Sequence, residues 1–308
     1  MRRFAIVVAV FGTGATMLLT LVAGCDSRSA GDARGAIGDP LSETQPSLLT
    51  KAPAPVELLR KPAGDEEKWA TVKGKVIWAE DKVPQPVALN LGPAAAVPPC
   101  VPPTGLFSEE FAIDPKTKGV KNVVVWLAAA EAPKKKGDKW AAIPVHPALA
   151  KSVVPVVTLD QPCCTFEPHV LAIRDDQTLR VKNSAPFAHN INLKGGNNYG
   201  LNKVIQPGAV LNENIPAAAG LVNVECNMHP WMKAYIRVFD HPYFALTGAD
   251  GTFEIKNAPG GDYRILVWHE GMGWVAFDNP EKRKEGKLIK IKGGETNDLG
   301  EFKVSKED

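Results

Sequence analysis

Val224-Glu225-Cys226-Asn227-Met228-His229-Pro230-Trp231-Met232 sets a thiol, an imidazole and a thioether three residues apart, directly after the apolar run Leu221 to Glu225. That run follows the turn-like Pro216-Ala217-Ala218-Ala219-Gly220, and a second β-favouring run, Ala234 to Phe239, comes after it. The reading is strand, tight loop, strand. The first strand ends at Cys226, and the loop returns His229 and Met232 toward the same point. Thiolate is a soft ligand, imidazole intermediate and thioether soft and weak, a set that suits copper in both of its common oxidation states. A plane of two imidazoles and one thiolate needs one more nitrogen from a distant strand. Ser184-Ala185-Pro186-Phe187-Ala188-His189-Asn190 offers it, just after the strand Thr178 to Val181. Facing strands of a sandwich would bring His189 beside the Cys226 loop. Met228 is expected to point away from that centre.

Working outward, the chain from Val154 reads as a succession of short strands. Val170 to Ile173 and Thr178 to Val181 flank the polar turn Arg174-Asp175-Asp176-Gln177 as a hairpin. Thr252 to Lys256 and Tyr263 to Trp268 flank Asn257-Ala258-Pro259-Gly260-Gly261-Asp262 as another, with Phe253 and Ile255 alternating against polar neighbours. A last strand pair spans about Lys287 to Val304. Upstream, Val72, Val76 and Trp78 point one way and Lys73 and Lys75 the other, which makes a half-buried strand. Lys121 to Leu127 is apolar on both faces and fits a central strand. Residues 83–103 read as an irregular loop and Lys134 to Lys136 as solvated. No long amphipathic helix or internal repeat is present, and 27 glycines and 26 prolines favour short strands joined by turns. The expected fold class is all-β.

The N-terminus reads as an address. Arg2 and Arg3 precede an apolar stretch, and small residues then lead to Cys25. Val22-Ala23-Gly24-Cys25 resembles a bacterial lipobox, in which the Cys carries the lipid. An uncleaved membrane anchor is the alternative reading of the same stretch. Either places the remainder outside the cytoplasm, facing the periplasm or the cell surface, with the membrane itself as a partner. Asp26 resembles a retention residue but leaves inner and outer membrane open. Residues 26–68, rich in Ser, Gly, Asp, Ala and Pro, read as a flexible tether. A net charge of +2 gives no field to attract nucleic acid.

Cys226-x₂-His229-x₂-Met232 resembles the ligand loop of amicyanin-type cupredoxins, and His189-Asn190 resembles the upstream pair of plastocyanin-like proteins. More broadly, residues 156–270 resemble cupredoxin-domain proteins of the "methylamine utilization protein-like" kind. The shared features include Phe166-Glu167-Pro168-His169-Val170, Trp231-Met232-x-Ala234-Tyr235, Pro242-Tyr243-Phe244-Ala245, Asp250-Gly251-x-Phe253 and Trp268-His269-Glu270. The resemblance implies a cupredoxin-like Greek-key sandwich over 154–240. It would be inserted in a carboxypeptidase regulatory-like, or transthyretin-like, sandwich formed by 69–153 and 241–308. It also implies His189, Cys226 and His229 as equatorial ligands of one type 1 copper ion, Met232 as the long axial ligand, and Asn190 as the residue that pins the His189 loop.

Cys100, Cys163 and Cys164 remain. An oxidising compartment favours a disulfide. Adjacent residues of an extended segment face opposite ways, so only one of Cys163 and Cys164 is expected to reach Cys100. A second metal site from Cys163, Cys164 and His169 is the alternative. His169 and His269 read as hydrogen-bonded structural imidazoles, and His146 and His241 sit before prolines in loops.

With all four ligand positions filled, one-electron transfer is expected rather than catalysis, and the redox partner protein stays unnamed. No phosphate loop, nucleophile elbow or zinc-protease motif occurs. The alternatives are an envelope structural or binding protein, a copper store, and a copper enzyme with an open axial position.

Overall fold

In the computed structural model, which describes residues 68–92, 101, 104–135, 138–277 and 279–306, the period-two alternation carries the chain directly into strands. The export-signal segment with Cys25, residues 26–67 of the expected tether, and Cys100 lie outside the described residues. Strand β1 (Trp69–Trp78) buries Val72, Val76 and Trp78 and turns Lys73 outward. Strand β2 (Val124–Ala129) is buried on both faces, as its unbroken apolar run requires.

The chain then runs through β3 (Val156–Asp160), β4 (Val170–Arg174), β5 (Thr178–Lys182) and β6 (His189–Lys194). It continues with β7 (Gly200–Ile205), β8 (Val210–Glu213), β9 (Leu221–Glu225) and β10 (Lys233–Phe239). These eight make two sheets, β4-β10-β9-β6-β7 and β3-β5-β8. Leu159, Leu179 and Val181 from the smaller sheet meet Ile191, Leu193, Val222, Val224 and Ile236 from the larger in one apolar core. Burial of these side chains, at about 25 cal/mol per Å² of apolar surface, is what holds the two sheets together.

After that excursion come β11 (Phe244–Leu246), β12 (Thr252–Pro259), β13 (Gly261–His269), β14 (Gly273–Trp274), β15 (Lys287–Ile291) and β16 (Thr296–Val304). They join β1 and β2 in a second sandwich, with sheet β12-β1-β16 facing sheet β11-β2-β13-β14 and β15 paired to β13. Val72, Val76, Trp78, Phe253 and Ile255 pack there against Val125, Leu127, Ile265 and Val267. The alternate residues of β2 and β13, Val124, Trp126, Leu266 and Trp268, form a third cluster with Val170 and Phe239 of the first sandwich. Among the described residues no α-helix occurs, and 3₁₀ turns span Pro147–Leu149, Ala217–Ala219 and Pro280–Lys282. The fold is all-β.

The expected hairpins are not hairpins. β4 pairs in parallel with β10, whereas β5 pairs with β3 and β8, so the turn Arg174–Gln177 crosses from one sheet to the other. β12 pairs with β1 and β13 with β2, so the corner at Gly260 also changes sheets. The final pair separates likewise: β15 lies on β13 and β16 runs parallel to β1. Turn residues encode a reversal of direction, and each strand carries one covered face. Both features are the same whether the next strand lies beside its predecessor or across the core.

Gly251 lets a loop close onto β1. Val76 donates its backbone N–H to the Gly251 carbonyl and accepts from the Val120 N–H. A Cβ on Gly251, whose φ is +80°, would lie 2.2 Å from the Val76 carbonyl oxygen.

Candidate metal centre

The site is built at one end of the first sandwich by three strand ends. Antiparallel pairing sets Asn192 of β6 opposite Glu225 of β9, so His189, Asn190 and Ile191 run alongside the loop that leaves β9. That loop is short because β9 and β10 pair immediately on either side of it, Glu225 opposite Lys233. It closes on itself through Met232 N–H to the His229 carbonyl at 2.8 Å and Cys226 N–H to the Met232 carbonyl at 3.3 Å.

The two Nδ1 atoms of His189 and His229 lie 3.0 Å apart, and Cys226 Sγ lies 4.0 Å from the first and 3.7 Å from the second. Each residue thus offers a donor atom within 4.8 Å of the others, and this is the one such group of three or more His, Cys, Asp or Glu among the described residues. Bonds as long as those of a protein-bound zinc ion, about 2.0 Å to imidazole and about 2.3 Å to thiolate, would let one transition-metal ion bridge separations of this size. The donor set of two imidazoles and a thiolate therefore fits a single copper ion. His189 and Cys226 are buried, and His229 is half-buried at the rim. Met232 is buried in the same core cluster as Cys226. Met228 is exposed.

Burial, with the neighbouring His229 charge second, lowers the His189 pKa to about 4. Burial lowers that of His229 as well. Both rings are neutral at pH 7, the form that donates a lone pair. Phe187 stands edge-on to both, 5.1 Å from His189 and 6.0 Å from His229 between centroids. Trp231 packs 5.1 Å from His229 and donates its indole N–H to the Cys164 carbonyl at 3.1 Å.

Asn190 ties strand to loop. Its Oδ1 accepts the Asn227 backbone N–H, and its Nδ2 donates to Asn202 Oδ1 at 2.6 Å. Asn192 adds a bond from Nδ2 to Asn227 Oδ1 at 2.9 Å. Asn192, Asn202 and Phe187 were not singled out in the sequence. The available signal was a strand, His189-Asn190-Ile191-Asn192-Leu193, carrying amides where only apolar side chains are easily buried.

Cys164 is a buried free thiol whose pKa is raised by burial and then by Cys226. Its φ of +53° shows that the segment is bent, so the extended geometry expected for Cys163 and Cys164 does not hold. Cys163 is half-buried at the edge of the same core, and Cys100 lies outside the described residues. His169 bonds through Nε2 to Glu270, and with Cys163 and Cys164 it forms no metal-sized group. His269 accepts from Gly271 N–H, His146 from Ala148 N–H and His241 from Tyr243 N–H, each through Nδ1.

The fold and the site together define a class: an all-β protein with a buried thiol and two neutral imidazoles converging on one point. No family model matches the chain, and no curated protein matches it. Among solved structures it is similar to the oxidised state of an amicyanin mutant, with 18% identity, 28% of this chain and 83% of that chain covered, and a TM-score of 0.26. It is also similar to a reduced amicyanin mutant, with 15% identity, 37% and 98% covered, and a TM-score of 0.26.

Proposed function

We propose that this chain is a copper protein that carries single electrons, with one ion held by His189, Cys226, His229 and Met232. The observation that supports it is the convergence of His189 Nδ1, His229 Nδ1 and Cys226 Sγ within 4.8 Å of one another. Copper, when bound, supplies a one-electron couple. The protein's part is to keep the ligands fixed. β6, β9 and β10 hold the three donors from separate strand ends, Asn190 and Asn192 lock the loop, and Phe187 and Trp231 shield the imidazoles from water. Met232, buried in the same core cluster as Cys226, would supply the thioether. The half-buried His229 is the ligand closest to solvent and the side from which a redox partner protein would exchange electrons. With four ligands supplied by the chain no position is left for substrate, so no enzymatic role is proposed.

The same reading takes Cys25 as lipid-anchored and residues 26–68 as the tether, on an envelope membrane facing the periplasm or cell surface. It pairs Cys100 with Cys163, since Cys164 is a free thiol and Cys163 is not. Voltammetry of the copper-loaded chain tests the electron-carrier reading: a reversible one-electron wave is expected. A flat response with copper bound would replace it with a storage or structural role.

A further inference from the structure

Along β10 the side chains alternate, Ile236 and Val238 entering the core of the first sandwich and Tyr235 and Phe239 packing toward β2 and β13. Arg237 shares that outward face. Its guanidinium carbon lies 4.9 Å from the centre of Trp126, 5.4 Å from Trp274 and 5.6 Å from Phe239. Aromatic faces attract the cation. They accept none of its N–H donors, however, and Nε is buried without a hydrogen-bond partner while the residue as a whole is half-buried. A buried guanidinium N–H without an acceptor is costly, and a planar anion on the guanidinium would supply one. Burial lowers its pKa to about 10, so the charge persists at pH 7.

Beside Arg237 is a cleft of about 600 Å³ between the two sandwiches, lined by half-buried Trp140 and His241 and by Trp126 and Phe239, whose rings are almost wholly buried. That volume is typical of small-molecule sites, about 300–1,000 Å³. The other charged groups on its wall are Lys139, Asp138 and Asp240. Two carboxylates there disfavour a multiply charged anion such as phosphate, while the aromatic wall favours a flat apolar body.

We propose that this cleft binds a small monocarboxylate with a flat, apolar body, its carboxylate in the Arg237 fork and its body against the aromatic wall. The proposal does not depend on copper, and its failure would leave the metal reading untouched.

The test is a titration of the full chain with benzoate, and in parallel with benzamide and inorganic phosphate, read by tryptophan fluorescence and by Tm. Saturable quenching and a raised Tm are expected with benzoate alone. Arg237→Met, checked for folding by circular dichroism, should weaken benzoate at least about tenfold. Should that variant not fold, Trp140→Ala, which lies outside every strand, should weaken it instead. The proposal is overturned by no saturation with benzoate, by an equal response to benzamide or phosphate, or by a folded variant that binds benzoate as the parent does.

Discussion

Asn190 is a buried side chain with both ends of its amide engaged, one on the Asn227 backbone of the Cys226–Met232 loop and one on Asn202. Asn190→Ala removes both bonds and leaves a backbone N–H without its acceptor. It should cost the metal-free protein about 1–3 kcal/mol in urea unfolding, and a loss under half a unit of that scale would show the loop to be held elsewhere. Met232 has a different job in the proposal. Met232→Leu conserves core volume, so copper should stay bound while the reduction potential moves. An unchanged potential would remove Met232 from the ligand set. At this scale the sequence was most readable where chemistry restricts residue type: His189, Cys226 and His229 stand out because few other side chains bind a soft metal. The amides that brace them did not stand out, since an Asn in a strand looks the same whether it faces water or a partner 12 or 35 residues away.

Strands were legible from alternation, and β9 was read to its ends because a turn and the Cys226–Met232 loop bracket it. Pairing was not. Arg174–Gln177 and the corner at Gly260 join strands of opposite sheets, and local sequence carries no term for which partner a strand finds across the core. Long-range contacts settle that, and one lies where Gly251 meets β1. Gly251→Ala would drive a Cβ to 2.2 Å from the Val76 carbonyl oxygen in a left-handed conformation. A loss of about 3 kcal/mol or more in thermal or urea unfolding is expected. Gly208, with φ +74° and open space around it, isolates the conformational part. Gly208→Ala should cost only about 1–2 kcal/mol. Equal losses at the two positions would show that the β1 contact contributes nothing.

The two sandwiches are joined by the aromatic third cluster and by the bond from His169, just before β4, to Glu270, just after β13. Burial works against a charge on His169, but hydrogen bonding and attraction from Glu270 outweigh it and raise its pKa above 6.5. A raised histidine contributes stability that is fully present below about pH 6.5 and lost as pH rises through the raised value. The Tm advantage of the metal-free protein over Glu270→Gln should therefore shrink as pH climbs from 6 to 9, a difference in which the histidines lowered by burial, His189, His229, His241 and His269, cancel; an advantage that does not change with pH would show that the bond carries no charge on His169. How the sandwiches meet was not readable from the sequence, because Trp126, Trp268 and Arg237 are ordinary strand residues until the opposing sheet is in place. The candidate metal centre is where all these scales converge, and the most direct measurement on it is a titration of the metal-free chain with Cu(II), followed by visible absorption. One equivalent should produce an intense thiolate-to-copper band that Cys226→Ser abolishes. A chain that takes up Cu(II) and stays colourless would contradict the assignment.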